Sequence, residues 1–390
     1  MVQNFNSTPL SHVLKKIGLS CLIGLLFFAF IQLIQHYHHN WEPTALPSSN
    51  TPIELYSNQT QDDLTHLFQH AINNAKESIT LIIYALTDPQ IIQALQAQSE
   101  SGISVYIVAD AKASPGISHR LPRASIVKSL GQGLMHQKIL IIDNKQVWLG
   151  SANMTTNSLN IHGNLVMAID NPALAKALSM RAKSMDETGS HTPLLHREAM
   201  INNQNLEVWI LPDDPSAVAR LIELIRQAKK SIKIAMFTWT RPDLAQEVIA
   251  AAKKGIDVEI VIDRYSGKGA STTVVKLLQK HHIPIHLSTG NKLMHHKLAV
   301  IDDEILINGS TNWTHAAFEE NDDYFTVLYP LKSNQKVKIE KLWKAILKGS
   351  EVLHPASPSI HPEKSDQDRY PLSQHVECQW NPILIKEANV

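Results

Sequence analysis

The sequence has little cysteine and no excess of charge of either sign. Only two cysteines occur in 390 residues, Cys21 in an apolar segment and Cys378 near the opposite end, so we expect no disulfide between them. The 36 basic and 36 acidic residues cancel, so the chain lacks the global basic field that would indicate nucleic-acid binding. Hydrophobic residues make up 44% of the chain, which is enough for a sizeable core, and the length fits about two domains.

A long apolar run near the start departs from this even composition. Residues 1–16 are polar and end in two lysines, whereas residues 17–34 are almost entirely apolar. As a helix the run would be about 27 Å long, close to the hydrocarbon thickness of a bilayer. No small-x-small cleavage site follows it, so we predict a cytosolic N-terminus at 1–16, an uncleaved transmembrane anchor at 17–35 and a linker at 36–51. The lysines place the rest of the chain on the non-cytosolic side, periplasmic or extracellular; secretion after signal cleavage is the alternative.

Two copies of one short pattern stand out in the remaining sequence. Each has a histidine, a lysine two residues later and an aspartate five residues after that, followed by Gly-Ser-x-Asn. The first copy comprises His136, Lys138, Asp143, Ser151 and Asn153, and the second comprises His295, Lys297, Asp302, Ser310 and Asn312. The second copy lies 159 residues after the first at every position. Because chance does not produce such agreement, these ten residues are the candidate site.

The spacing within each copy indicates how the side chains are arranged. Continuous apolar runs follow the His-x-Lys pairs, at residues 139–142 and 298–301, and are typical of buried strands. Residues two apart on a strand share a face, so each histidine points the same way as its lysine. One neutral imidazole can then attack phosphorus, while the other, protonated, donates to the leaving oxygen and afterwards activates water or an alcohol. The lysines stabilise charge on the phosphate with help from Asn153 and Asn312, so no metal is needed. Ser151 and Ser310 are weaker candidates, because small residues also suit a turn.

Most of the remaining chain is duplicated. The stretch SITLIIYALTDP that begins at Ser78 aligns with SIKIAMFTWTRP that begins at Ser231. Strands alternate with helices, which predicts an α/β fold with a mainly parallel sheet. We predict a first half at 52–187, a connector at 188–205, a second half at 206–349 and a Pro-, Ser- and His-rich tail at 350–390.

The paired motifs resemble those of the phospholipase D superfamily, over about residues 52–345. The resemblance implies two similar α-β-α halves packed as a pseudo-two-fold pair, with one active site between them. It implies cleavage or exchange of phosphodiesters through a phosphohistidine, with His136 as nucleophile and His295 as acid. It also implies that Glu320 orients a histidine. The first half has His162-Gly163-Asn164 at the corresponding place, which leaves the orienting partner of one histidine unidentified.

Two segments that lead into the motifs carry local positive charge. Their basic residues are Lys112, Arg120, Arg123 and Lys128 in the first half, and Arg264, Lys268, Lys276, Lys280 and Lys292 in the second. Beside a phosphate site they predict an entrance that attracts anions, either lipid head groups or nucleic-acid backbones.

These observations favour one function and leave two alternatives. We predict a membrane-anchored phosphodiesterase that hydrolyses phospholipids or transfers their phosphatidyl groups, with no cofactor and no obligate protein partner. A nuclease of the same superfamily is the alternative. A non-catalytic, membrane-tethered binding protein is disfavoured because both motifs are intact.

Overall fold

The computed structural model describes residues 46–48 and 50–353, together with the isolated positions 24, 27 and 28. The predicted anchor is therefore almost wholly outside the described residues, as are most of the linker and of the C-terminal tail. Among the residues that are described, no helix combines the length and the apolar character needed to cross a bilayer. One compact unit begins at Leu46 and contains both predicted halves.

The first half is built on a seven-stranded sheet with the order β1-β7-β6-β5-β2-β3-β4. Its strands are β1 Ile53–Tyr56, β2 Ser78–Ile83, β3 Ser104–Asp110, β4 Ser125–Ser129, β5 Lys138–Ile142, β6 Gln146–Gly150 and β7 Val166–Asp170. Its helices are α1 Leu64–Asn73, α2 Pro89–Glu100, α3 Ile117–Arg120, α4 Thr156–Asn160 and α5 Pro172–Ser184, and a 3₁₀ turn covers Asn58–Thr60. Helices α2 and α5 begin where Asp88 and Asn171 cap the first turn ahead of a proline.

The second half repeats this arrangement on a nine-stranded sheet with the order β16-β12-β11-β10-β13-β14-β15-β9-β8. Its strands are β8 Arg197–Ile201, β9 Gln204–Leu211, β10 Ser231–Met236, β11 Asp257–Ile262, β12 Ile285–Ser288, β13 Lys297–Ile301, β14 Ile305–Gly309, β15 Asp323–Tyr329 and β16 Ser350–Val352. Its helices are α6 Ala217–Arg226, α7 Pro242–Lys253, α8 Arg264–Lys268, α9 Thr272–Lys280, α10 His315–Glu319 and α11 Ser333–Lys348. Strand β8 lies inside the predicted connector, and β16 lies at the start of the predicted tail.

The prediction of a mainly parallel sheet was wrong, because both sheets are mixed. Only β2, β3 and β4 run parallel in the first sheet, and only β10, β11 and β12 in the second. The remaining pairs are antiparallel, and short turns join three of them, β5–β6, β13–β14 and β8–β9. The turn between β5 and β6 has positive φ at Asp143 and Asn144, and its counterpart has positive φ at Asp302 and Asp303. Two successive residues of this kind form the tight turn of an antiparallel hairpin.

The buried side chains divide into three clusters, which explains the α-β-α layering. One cluster lies on the outer face of the first sheet under α1 and α2, and another lies on the outer face of the second sheet under α6, α7 and α9. The third draws residues from both sheets and from α5 and α11, so the two halves share it. Strand β5 is buried on both faces: Ile139 and Ile141 face the shared cluster, and Leu140 and Ile142 face the outer one.

Reciprocal contacts between the halves give the pseudo-two-fold relationship. Met135 forms a β-bridge with Asp322, and Met294, its equivalent in the second half, forms one with Gly163. Because each contact is repeated with the halves exchanged, the interface has the pattern of a two-fold pair. The approach is closest at Gly133, where an added Cβ would lie 1.8 Å from the carbonyl oxygen of Glu320.

Candidate active site

Each histidine immediately precedes a central strand and shares an aromatic wall with its lysine. His136 packs edge-on against Tyr84 with the ring centroids 5.4 Å apart, and Lys138 Nζ lies 5.1 Å from the same ring. In the second half Phe237 takes this place, at 5.0 Å from His295 and 4.8 Å from Lys297. Both members of each pair therefore point the same way, as the strand spacing predicts.

These four side chains are buried, with exposures between 1% and 4%. Each lysine Nζ donates to the carbonyl oxygen of its own histidine, at 2.6 Å for Lys138 and 3.1 Å for Lys297. The two pairs also act on each other, because Lys297 of the second half contributes to lowering the pKa of His136 in the first. The halves thus bring two imidazoles and two ammonium groups into one site.

Each histidine is oriented by a residue of the opposite half. His136 Nδ1 lies 3.0 Å from a carboxylate oxygen of Asp323, and His295 Nδ1 lies 3.0 Å from Oδ1 of Asn164. Asn164 and Asp323 are themselves 159 residues apart, so they occupy equivalent positions. The first half therefore has an amide, Asn164, at the position where the second half has a carboxylate, Asp323.

The assignment of the orienting role to Glu320 was wrong. This side chain is 61% exposed and its closest ionic neighbour is His315, at 3.8 Å. Glu320 ends helix α10 on the solvent side, whereas Asp323 begins β15 and is fully buried beside His136. Extending the 159-residue offset beyond Gly-Ser-x-Asn would have identified both Asp323 and Asn164 in the sequence.

The motif serines hold the orienting residues. Ser151 Oγ donates to Asn164 Oδ1 at 2.8 Å, and Ser310 Oγ donates to the Asp323 carboxylate. Asn153 and Asn312 are both buried, and they follow β6 and β14 at the strand ends that adjoin the histidines. The serines therefore contact the partners of the histidines, and the asparagines remain the candidates for binding phosphate.

The motif aspartates lie outside the site. Asp143 and Asp302 follow the far ends of β5 and β13, about 23 Å along the chain from the histidines. The Asp143 carboxylate accepts hydrogen bonds from the backbone N–H groups of residues 76–78, at 2.7–3.0 Å. Asp302 does the same with residues 229–231. Their inclusion among the catalytic residues was wrong, because spacing along the motif does not separate the two ends of a strand.

The charge state of His136 follows from its surroundings. Burial lowers its pKa most strongly and Lys138 lowers it further, against the raising effect of Asp323, so the imidazole is neutral at pH 7. A carboxylate can only accept, so Nδ1 carries the hydrogen and Nε2 keeps its lone pair. A neutral imidazole with its lone pair on Nε2 is the form that a nucleophile requires.

A buried ionic cluster supports the backbone beside His136, and no sequence pattern indicated it. Arg181 donates to Asp213 at 2.9 Å and to Asp322 at 2.8 Å, and His191 contacts Asp213 at 2.7 Å. Burial opposes ionisation of Asp213, but the hydrogen bonds from His191 and Arg181 outweigh it and lower its pKa to about 2. The carbonyl oxygen of Asp322 accepts from the His136 N–H at 2.9 Å, so Arg181 fixes the strand that positions His136.

The basic residues of the predicted entrance divide between the two ends of the sheets. Six lie towards the histidine side: Lys112, Arg120, Arg264, Lys268 and Lys292 follow strand ends, and Lys128 is the penultimate residue of β4. Arg123 and Lys280 precede β4 and β12 and so lie at the opposite end, while Lys276 lies within α9. Within residues 50–353, no cluster of three or more His, Cys, Asp or Glu side chains is arranged to hold a metal ion. The absence of a cofactor stays a prediction.

Comparison with known proteins gives a family by sequence and a shared fold by structure. The family described as the PLD-like domain of cardiolipin synthase matches residues 68–185 and 221–343, about three fifths of the chain. The mitochondrial cardiolipin hydrolase of Xenopus tropicalis is 29% identical over 160 residues, which span 40% of this chain and 72% of that protein. The phosphatidylserine synthase of Haemophilus influenzae Rd KW20 has a similar fold, with a TM-score of 0.62 and 13% identity over 79% of this chain and 89% of that one. The polyphosphate kinase of Porphyromonas gingivalis has a TM-score of 0.56 and 17% identity, over 78% of this chain and 49% of that one.

Proposed function

Because the chain belongs to the phospholipase D superfamily, we propose that it is a phosphodiesterase that cleaves phospholipids through a phosphohistidine on His136. The observation that carries this proposal is the convergence of two buried histidine–lysine pairs, each histidine held at Nδ1 by the opposite half. With Nδ1 engaged, Nε2 is the ring nitrogen that each histidine presents to a phosphodiester.

The first step forms the covalent intermediate. The lone pair of His136 Nε2 attacks phosphorus, the bond from phosphorus to the leaving oxygen breaks, and its electron pair stays with that oxygen. Protonated His295 gives its Nε2 proton to the leaving oxygen, so an alcohol departs. The ammonium groups of Lys138 and Lys297 stabilise the charge on the non-bridging oxygens.

The second step releases the product and restores the site. Neutral His295 takes a proton from water, whose oxygen attacks phosphorus, and the phosphorus–nitrogen bond breaks with its electron pair returning to His136. An alcohol in place of water would give transfer of the phosphatidyl group. Both histidines end in the protonation states with which they began.

Three observations support a phospholipid substrate. The similar proteins are named as cardiolipin hydrolases, and the family model carries the name of cardiolipin synthase. The chain has no net charge, whereas a nuclease that binds several phosphates usually presents a broadly basic surface.

One observation favours a second candidate function, a nuclease. The six basic residues on the histidine side of the sheets could hold a single nucleic-acid strand in a narrow groove.

We also propose that residues 17–35 anchor the enzyme in a membrane, with the catalytic part on the non-cytosolic side. A linker over residues 36–51 would reach at most about 55 Å when extended, which keeps the site near the bilayer. Such tethering raises the effective concentration of lipid phosphodiesters and gives no such advantage with free nucleic acid.

The test compares substrates at matched enzyme concentration and roughly physiological salt. The full chain is assayed on mixed phospholipid vesicles that contain cardiolipin, and on single-stranded and duplex DNA. We expect lipid turnover that falls at least about 10³-fold in His136→Ala and His295→Ala. His119→Ala, which changes an exposed histidine, is the control and keeps full activity. DNA cleavage that requires His136, with no lipid turnover, would establish the nuclease instead.

A further inference from the structure

The two loops that supply the histidine partners differ in charge. The loop of residues 320–323 carries three carboxylates, on Glu320, Asp322 and Asp323, and we call it the acidic loop. Its equivalent in the first half is the loop of residues 161–164, Ile-His-Gly-Asn, which carries none; we call it the neutral loop. Each loop crosses to the other half, so the acidic loop serves His136 and the neutral loop serves His295.

Asn164 is held in one orientation by its hydrogen bonds. Its Nδ2 donates to the carbonyl oxygen of Ser158 at 2.8 Å, and its Oδ1 accepts from Ser151 Oγ at 2.8 Å. The side chain is fully buried, and its carbonyl oxygen accepts from Ser57 Oγ at 2.6 Å. A flip of the amide would oppose acceptor to acceptor at the carbonyl oxygen of Ser158, so Oδ1 is the atom that faces His295. The Nδ1 of His295 is therefore a donor in both of its protonation states.

Three neighbours of His295 carry no negative charge. Phe237 covers the ring, and Lys297, a cation, donates to the His295 carbonyl oxygen. The next residue, His296, is neutral because burial lowers its pKa to about 3. A neutral amide at Nδ1 orients the imidazolium without the charge stabilisation that a carboxylate supplies.

We propose that Asn164 is a positioning residue that makes His295 the proton shuttle, by holding Nδ1–H in place while leaving the imidazolium ready to release its other proton. The equivalent Asp323 places a negative charge at Nδ1 of His136. That charge stabilises the positive charge that develops on the ring as the bond to phosphorus forms. The difference between an amide and a carboxylate at one pair of equivalent positions thus divides the two roles. This inference rests on the proposed phosphodiesterase function.

The first test is the pH profile of kcat/KM for Asn164→Asp on a phosphodiester that the wild type cleaves. A carboxylate beside Nδ1 favours the imidazolium, so the alkaline limb should move to higher pH by about 1–2 units. A weaker acid donates less readily, so kcat on the plateau should fall a few-fold. Asn160→Asp, an exposed change of the same chemistry four residues away, should leave the limb in place.

A second variant decides the matter even if the buried carboxylate prevents folding. Asn164→Ser removes the contact to Nδ1 without adding charge, and circular dichroism checks that it folds. An alkyl leaving group needs the proton from His295, whereas p-nitrophenolate departs without it. We expect Asn164→Ser to lose at least about tenfold more activity on the alkyl diester than on the p-nitrophenyl diester.

The outcomes separate this inference from the proposed function. Two results would overturn the role of Asn164. One is an alkaline limb of the kcat/KM profile that is unchanged in folded Asn164→Asp. The other is an equal loss of activity on both diesters in Asn164→Ser. Neither result would contradict the proposed phosphodiesterase function. If the wild type cleaves neither lipid nor nucleic-acid phosphodiesters, the proposed function fails, and this inference fails with it.

Discussion

The motif aspartates stabilise the fold at a distance from the chemistry. Asp143 binds three successive backbone N–H groups ahead of β2, and Asp302 binds the equivalent three ahead of β10. Each ties the start of one central strand to the end of its antiparallel neighbour. Burial opposes ionisation of Asp302, but the hydrogen bonds from the backbone N–H groups outweigh it and lower its pKa, so its contribution to stability is lost as the pH falls through that pKa.

Replacing Asp143 therefore tests a structural role against a catalytic one. Asp143→Asn keeps the positive-φ turn but loses the charge and one acceptor, so we expect a loss of about 1–2 kcal/mol in the free energy of unfolding, measured in urea. Asp303→Asn is the control, because it breaks only an exposed pair with Lys233 and should cost less than about 1 kcal/mol. Below the unfolding transition, kcat should stay within about twofold of the wild type for both variants. A hundredfold loss of kcat in stable Asp143→Asn would return this residue to the site.

The residues of the site could be predicted only in part. Local spacing placed each histidine beside its lysine, because residues two apart on the extended backbone that leads into the strand share a face. It could not identify Asp323 or Asn164 as partners, since each reaches its histidine from the other half of the molecule. The spacing within the motif also led to the prediction that Asp143 is catalytic like His136, although the two lie at opposite ends of β5.

At the scale of elements, Gly133 lets two loops from different halves approach each other. A Cβ there would overlap the carbonyl oxygen of Glu320, and the loop leads directly into His136. We expect Gly133→Ala to lower the melting temperature by several degrees and kcat/KM by at least about tenfold, because the backbone must move by more than an ångström.

Gly349→Ala is the matched control for this prediction. Its Cβ would meet the closest atom, a carbonyl oxygen of Ala345, at 3.5 Å, which is an ordinary contact, and its φ of −90° suits alanine. Differential scanning calorimetry and the vesicle assay together check both variants. An unchanged kcat/KM in Gly133→Ala would mean that the crossing of the loops does not position His136.

The strand order was less predictable than the strands themselves. The apolar runs at 139–142 and 298–301 do form buried strands, β5 and β13. The alternation of strands with helices correctly predicts that β2, β3 and β4 are parallel. It wrongly predicts the same direction for the hairpin strands that follow. The positive-φ turns at Asp143-Asn144 and Asp302-Asp303 were the available signal, and acidic and amide residues are common in such turns.

At the scale of the whole molecule, the proposed anchor determines which compartment contains the active site. The apolar run at 17–34 with lysines before it predicts that everything beyond residue 39 is outside the cytosol. Protease added to cells stripped of any outer membrane should therefore digest the catalytic part while a cytosolic marker stays intact. Complete protection, or a mature N-terminus near residue 40, would contradict an uncleaved anchor of this orientation.

The exchange of histidine partners across the interface also bears on how such a chain could arise. A single half would have no complete site until it met a second copy of itself, so an ancestor of one half would have worked as a homodimer. In a homodimer one codon specifies both orienting positions, so the two histidines must have partners of the same residue type. Only after gene duplication could one codon encode Asn164 and another Asp323. The fused chain can thus hold an amide and a carboxylate at once, a combination that no symmetric dimer of identical halves can encode.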